Sequence, residues 1–148
     1  MLDKKAVHKK ALAVVNAKLA EIQGDFDALQ ESLLSQTKSS AGDKHETGRA
    51  MAQLEQEKLS RQLIETRKTA EGLRKIDPAQ PLDAIGFGSL VKTDRGYFFL
   101  SVGIGQVVVD NTTVFCITAG SPLGQKLLGK VENDRIEMNG TLVIECAR

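Results

Sequence analysis

Asp43 and Glu46 stand three residues apart, preceded by Gly42 and separated by Lys44 and His45. On a helix that spacing puts both positions on one face, and two kinds of chemistry then fit. The pair can close a reciprocal capping box, with Asp43 at the helix start and Glu46 reaching back to it. At the end of a long rod the pair can instead deliver negative charge into a narrow place. His45, between the acids, reads as a solvated loop histidine or as a metal contact.

Other candidates are weaker. Gly86-Phe87-Gly88 and Gly103-Ile104-Gly105 resemble pieces of a nucleotide loop, but neither has a third glycine or opens a long helix, so both read as turns at strand ends. No nucleophile has a convincing base partner, which argues against a self-contained enzyme. Cys116 and Cys146 lie in apolar strand-like runs and are expected to be free thiols; two cysteines do not make a four-cysteine zinc site. One Tyr, no Trp and five Phe leave little for an aromatic-lined pocket.

The elements that position Asp43 and Glu46 are legible as a mirror. Leu12, Val15, Leu19, Ile22, Phe26, Leu29 and Leu33 step by three and four, as a coiled-coil seam does. Each has a counterpart whose number completes a sum of 85: Leu73, Ala70, Thr66, Leu63, Leu59, Gln56 and Ala52. Reflection about a point between Gly42 and Asp43 predicts an antiparallel helical hairpin, with Phe26 facing Leu59 and Ile22 facing Leu63. The first arm runs from about Asp3 to Lys38, roughly 50 Å at 1.5 Å per residue. Asp25 and Asp27 then fall at the height of Lys58 and Arg61, and those charges favour the register. His8, one step before Leu12, reads as a frayed end of the seam.

Pro78 and Pro81 stop the second arm. Beyond them the sequence predicts strands over 88–92, 97–102, 106–109, 112–118 and 141–146, with turns at Asp94-Arg95-Gly96 and Met138-Asn139-Gly140 and a short helix over 122–128. The fold class is α+β: a helical hairpin over 1–77, a linker over 78–82, and a small, mostly antiparallel β domain over 83–148. Residues 1–77 carry 14 Lys/Arg and 12 Asp/Glu; the remaining 6 and 7 complete the totals of 20 and 19. Such balance argues against strong independent DNA binding. No apolar run reaches the roughly 18–20 residues of a membrane span, and no export signal opens the chain, so a cytoplasmic monomer is the expectation.

These residues carry a family resemblance over nearly the whole length. Gly42-Asp43-Lys44-His45-Glu46 is similar to the tip of the bacterial Gre transcript-cleavage factors. Ser121-Pro122-Leu123-Gly124-Gln125-Lys126-Leu127-Leu128-Gly129-Lys130 resembles their Ser-Pro-Leu-x-x-x-Leu-Leu-Gly-Lys stretch. The resemblance implies a coiled-coil finger followed by an FKBP-like domain. It also implies a transcription elongation factor that binds RNA polymerase, enters the secondary channel and stimulates the polymerase's own cleavage of backtracked RNA. Asp43 and Glu46 would assist the polymerase active site and share a Mg²⁺ only in that complex; the isolated protein would carry no cofactor. The loop at Ser121, Pro122 and Leu123 would contact the polymerase. After Glu46 the family pattern of Asn, Ala, Glu and Tyr is replaced by Thr47, Gly48, Arg49 and Ala50. Two other readings therefore stand: a channel-binding regulator that does not promote cleavage, and a coiled-coil adaptor.

Overall fold

The structure, a computed structural model, describes residues 1–37 and 43–148, with side chains outside the description from 36 to 46. Helix α1 spans Lys4–Thr37 and helix α2 spans Asp43–Arg74. Asp3 starts α1: its carboxylate accepts from the Lys5 N–H at 3.2 Å and its carbonyl from the Val7 N–H at 3.1 Å. All fourteen seam positions are buried or half-buried, while most other positions of both helices are exposed. The chain forms two compact units, one of residues 16–68 and the other of residues 1–15 with 69–148.

Within the 16–68 unit, Ile22, Leu59 and Leu63 form the buried cluster, with Leu19, Phe26 and Leu29 packed against it. Those partners are the ones the mirror register expects. No ion pair joins Asp25 or Asp27 to Lys58 or Arg61 among the described residues. A ladder through an amide takes their place: Arg67 donates to Gln23 Oε1 and Gln23 Nε2 donates to Asp27 Oδ1, both at 3.0 Å. Exposed ion pairs are worth so little that hydrated charges compete with them on even terms.

In the other unit, six strands follow α2: β1 Leu90–Thr93, β2 Gly96–Leu100, β3 Gly105–Val109, β4 Thr112–Ile117, β5 Arg135–Glu137 and β6 Thr141–Ala147, with helix α3 at Pro122–Leu127 between β4 and β5. The strand order is β3-β4-β2-β1-β6-β5. Every pairing is antiparallel except β2 with β4, which run parallel from Tyr97↔Val114 to Leu100↔Ile117. The fold is thus α+β: two long helices followed by a small, mostly antiparallel sheet and one short helix.

The alternation of side chains makes the sheet two-sided. Val91, Phe98, Leu100, Leu142 and Ile144 join Leu127 of α3 in one core, where the Phe98 and Phe115 rings stack at 5.6 Å. Leu90, Phe99 and Cys116 point the other way and are also buried. Here the first turns of α1 and the last of α2 cover the sheet. The His8 ring meets Phe99 edge-on at 6.4 Å, and a Cβ on Gly72 would lie 3.3 Å from Val102.

His8 corrects an expectation. It is buried, and its Nε2 lies 2.6 Å from the Leu73 carbonyl oxygen, one of the last four of α2, which have no partner within the helix. The Leu73 oxygen also accepts from the Ile76 N–H at 3.2 Å, and the His8 ring adds a second bond that ties α1 to α2, so this end is pinned rather than frayed. Lys4, on the same side of α1, is also buried and donates to the Gln80 carbonyl at 3.2 Å.

Turn chemistry fixes the strand ends. Asp110 and Asn111 take φ of 50° and 61°, the pair of positive values that a two-residue type I′ hairpin needs between β3 and β4. In the β5–β6 connection Glu137 pairs with Thr141, leaving Met138, Asn139 and Gly140 in the loop. The Arg95 guanidinium, from the β1–β2 turn, donates to the Met138 carbonyl at 2.6 Å and the Asn139 carbonyl at 3.0 Å. Asp94 beside it accepts from the Val143 N–H at 3.0 Å. One turn therefore clamps the neighbouring hairpin.

Candidate functional site

α1 ends at Thr37 and α2 begins at Asp43, so the acids occupy the first turn of α2. The side chains of Asp43, His45 and Glu46 lie outside the described residues. Their backbone positions bear on both chemistries open to the pair. A helix N-terminus carries positive partial charge that welcomes carboxylates, which suits capping. The i, i+3 spacing places positions 43 and 46 on one face of α2. Thr47, Gly48, Arg49 and Ala50, which follow the pair, are all exposed. Among the described residues no group of three or more His, Cys, Asp and Glu side chains converges on one point.

Ser121, Pro122 and Leu123 belong to the other compact unit. Ser121 caps α3: its hydroxyl accepts from the Gly124 N–H at 3.0 Å and donates to the Thr118 carbonyl at 2.7 Å. Pro122 takes the first helical position, where its missing N–H costs nothing. Leu123 packs half-buried against the core, and Pro122 is exposed. Gly124 is required by close approach, since a Cβ there would overlap the Thr118 carbonyl oxygen. The Ser-Pro-Leu-Gly run is thus a capped helix start, and its outward surface is chiefly Pro122.

Titrating groups elsewhere are tuned by burial. Desolvation pushes the Cys116 thiol up to about 11. Cys146 is raised too, first by desolvation and then by its hydrogen bond to Glu132, and both thiols are free. A raised thiol is a poor nucleophile, so neither is poised for catalysis. Burial lowers the Lys4 ammonium, with Asp77 opposing. His8, Lys4 and Arg95 all act at a distance in sequence that periodicity does not report. The one early sign of this was a polar residue standing at a seam position.

The protein is thus α+β, with Asp43 and Glu46 in the first turn of its second long helix and a capped Ser-Pro-Leu run on the sheet unit. No family model matches the sequence, and no curated protein matches it. Among solved structures the chain is similar to one described as the transcription factor Gfh1, at 18% identity over 95% of this chain and 94% of that one, with a TM-score of 0.36. A likeness that loose says nothing about activity. No described helix is long and apolar enough to cross a membrane.

Proposed function

We propose that this protein is a Gre-like elongation factor of the cytoplasm that binds RNA polymerase, inserts its helical hairpin into the secondary channel and stimulates cleavage of backtracked RNA. The observation that carries the reading is a coincidence of two independent features. α2 begins at Asp43 of the Gly42-Asp43-x-x-Glu46 motif, and the mirror point of the seam falls between Gly42 and Asp43 in the sequence. In this reading residues 1–77 form the probe, 78–82 the connection and 83–148 the docking domain. Pro122, with Ser121 and Leu123 behind it, offers the docking contact.

The protein's own part is modest. Asp43 and Glu46 bring two carboxylates to an active site that already holds nucleic acid phosphates and metal; a shared Mg²⁺ would there activate water and steady developing charge. The test is a stalled, backtracked elongation complex in Mg²⁺. Shortened RNA should appear faster with the protein, and Asp43→Ala or Glu46→Ala should abolish the gain while polymerase binding persists. Unchanged cleavage with the wild-type chain would refute the role.

A second reading draws on the exposed Thr47-Gly48-Arg49-Ala50 segment, which introduces a cation and lacks the family's Asn and Tyr. A channel-occupying regulator would slow nucleotide addition in the same assay without shortening RNA.

A further inference from the structure

We infer that the cavity bordered by the start of α1, the turn after α2 and the end of β6 is a binding site for a small organic carboxylic acid, with its carboxylate against the Lys4 ammonium. All three segments belong to the unit of residues 1–15 and 69–148. The cavity holds about 370 Å³, a size that small-molecule sites share. Lys4 lines it and keeps only 7% of its surface open to solvent. Its ammonium has three donors, and the bond to the Gln80 carbonyl at 3.2 Å uses one. Among the described residues no carboxylate lies within ion-pair distance of Lys4. Asp77 pulls on it from farther away, and burial outweighs that pull, so the ammonium sits below its ordinary range. The two acids at hand are engaged by backbone: Asp3 Oδ1 accepts from the Lys5 N–H at 3.2 Å, and Asp77 Oδ1 from the Ala79 N–H at 3.0 Å. A buried cation without an anion beside it is costly, and a carboxylate entering the cavity removes that cost.

The rest of the wall selects an organic anion. Lys5 and Arg148 also line the cavity, against Asp3 as its one carboxylate side chain. Arg148 donates its N–H to the Leu90 carbonyl at 3.0 Å and accepts from the Leu90 N–H at 2.9 Å, so it shares with Leu90 the sheet face that the helices cover. Pro78, Leu82 and Ala147, all half-buried, supply apolar surface that a bare inorganic anion would not use. The wall is also preformed. Pro78 and Pro81 have fixed φ, the Gln80 N–H donates to the Asp77 carbonyl at 3.1 Å, and the Lys4 bond fastens this turn to α1. A ligand therefore has little chain to order on entering.

Hexanoate titrated into the isotope-labelled protein should give saturable amide shifts confined to 3–5, 79, 80, 82, 147 and 148. Hexanamide, which has the same body and no charge, should bind at least about tenfold more weakly, the least that a hydrogen bond to a charged group contributes. Lys4→Met keeps the apolar stem and should weaken hexanoate by the same factor, with the amide spectrum checking the fold. Arg148→Gln, at an exposed position, should weaken it about threefold. Absence of saturable shifts at millimolar hexanoate overturns the inference. So does hexanamide binding as tightly as hexanoate, which would leave a merely apolar cavity, or inorganic phosphate binding as tightly, which would make it a site for any anion. Unchanged affinity in Lys4→Met overturns it too, or in Arg148→Gln should Lys4→Met not fold.

Discussion

The 16–68 hairpin and the sheet unit bury their apolar residues in different geometries, and the difference governs how each responds to damage. The hairpin core is one residue deep, with Ile22, Leu59 and Leu63 flanked by half-buried neighbours. The sheet has a buried layer on each face, including Phe99, Leu100, Leu127, Leu142 and Ile144, each with almost no solvent exposure. A seam is nearly one-dimensional, so its layers support only their neighbours and can open locally. A two-sided sheet couples every layer to the next and opens as a whole.

The strongest way to break the contrast is Phe99→Ala. It should cost about 4 kcal/mol, because a buried aromatic is removed from beneath His8. Denaturant unfolding should show the whole 1–15 and 69–148 unit weakened together. Leu63→Ala, in the seam, should cost about 3 kcal/mol. Its signature is local: hydrogen exchange should accelerate within 16–68 while sheet amides keep their protection, and a uniform acceleration would show that the units are one cooperative body.

A third measurement uses pH on the sheet alone. Burial pushes the folded Cys116 thiol up to about 11 from its ordinary 9.0, so the folded state holds its proton where the unfolded state has lost it. The contribution is full below pH 9 and disappears as pH rises through 11, about 2–3 kcal/mol in all. Stability should fall across that window and Cys116→Ala should flatten the fall. At pH 8 the native thiol should resist alkylation. The smallest effect is expected for Arg95→Ala, which frees the β5–β6 loop carbonyls at the surface and should cost about 1 kcal/mol. Loosening confined to 135–141 in exchange experiments would confirm the clamp.

Much of this architecture was legible without coordinates, for identifiable reasons. The seam was readable because a helix repeats its buried face every three to four residues, and the mirror partners Phe26 and Leu59 reached the same cluster. Five strands were readable from apolar runs between turn residues. β5 was not, since three residues with charged ends carry no alternation. Its partner strand and the Arg95 clamp hold it in place instead. The parallel pairing of β2 with β4 was equally hidden, because direction depends on how the chain returns across the sheet and not on the composition of either strand.

At the candidate site, the start of the second helix at Asp43 followed from spacing alone. The role of Ser121 as a cap, and the backbone approach that excludes any side chain at Gly124, required the Thr118 carbonyl to be seen beside them. The sequence by itself determined the periods, the reversal point and the turns, all of which are set by bonds and contacts between residues close along the chain. Tertiary structure alone decided that His8 would bond to Leu73, that Lys4 would be buried, and that β3 would be left as an uncharged edge. Each of those outcomes depends on which distant segment arrives to satisfy a polar group or cover a strand, and no local pattern encodes that arrival.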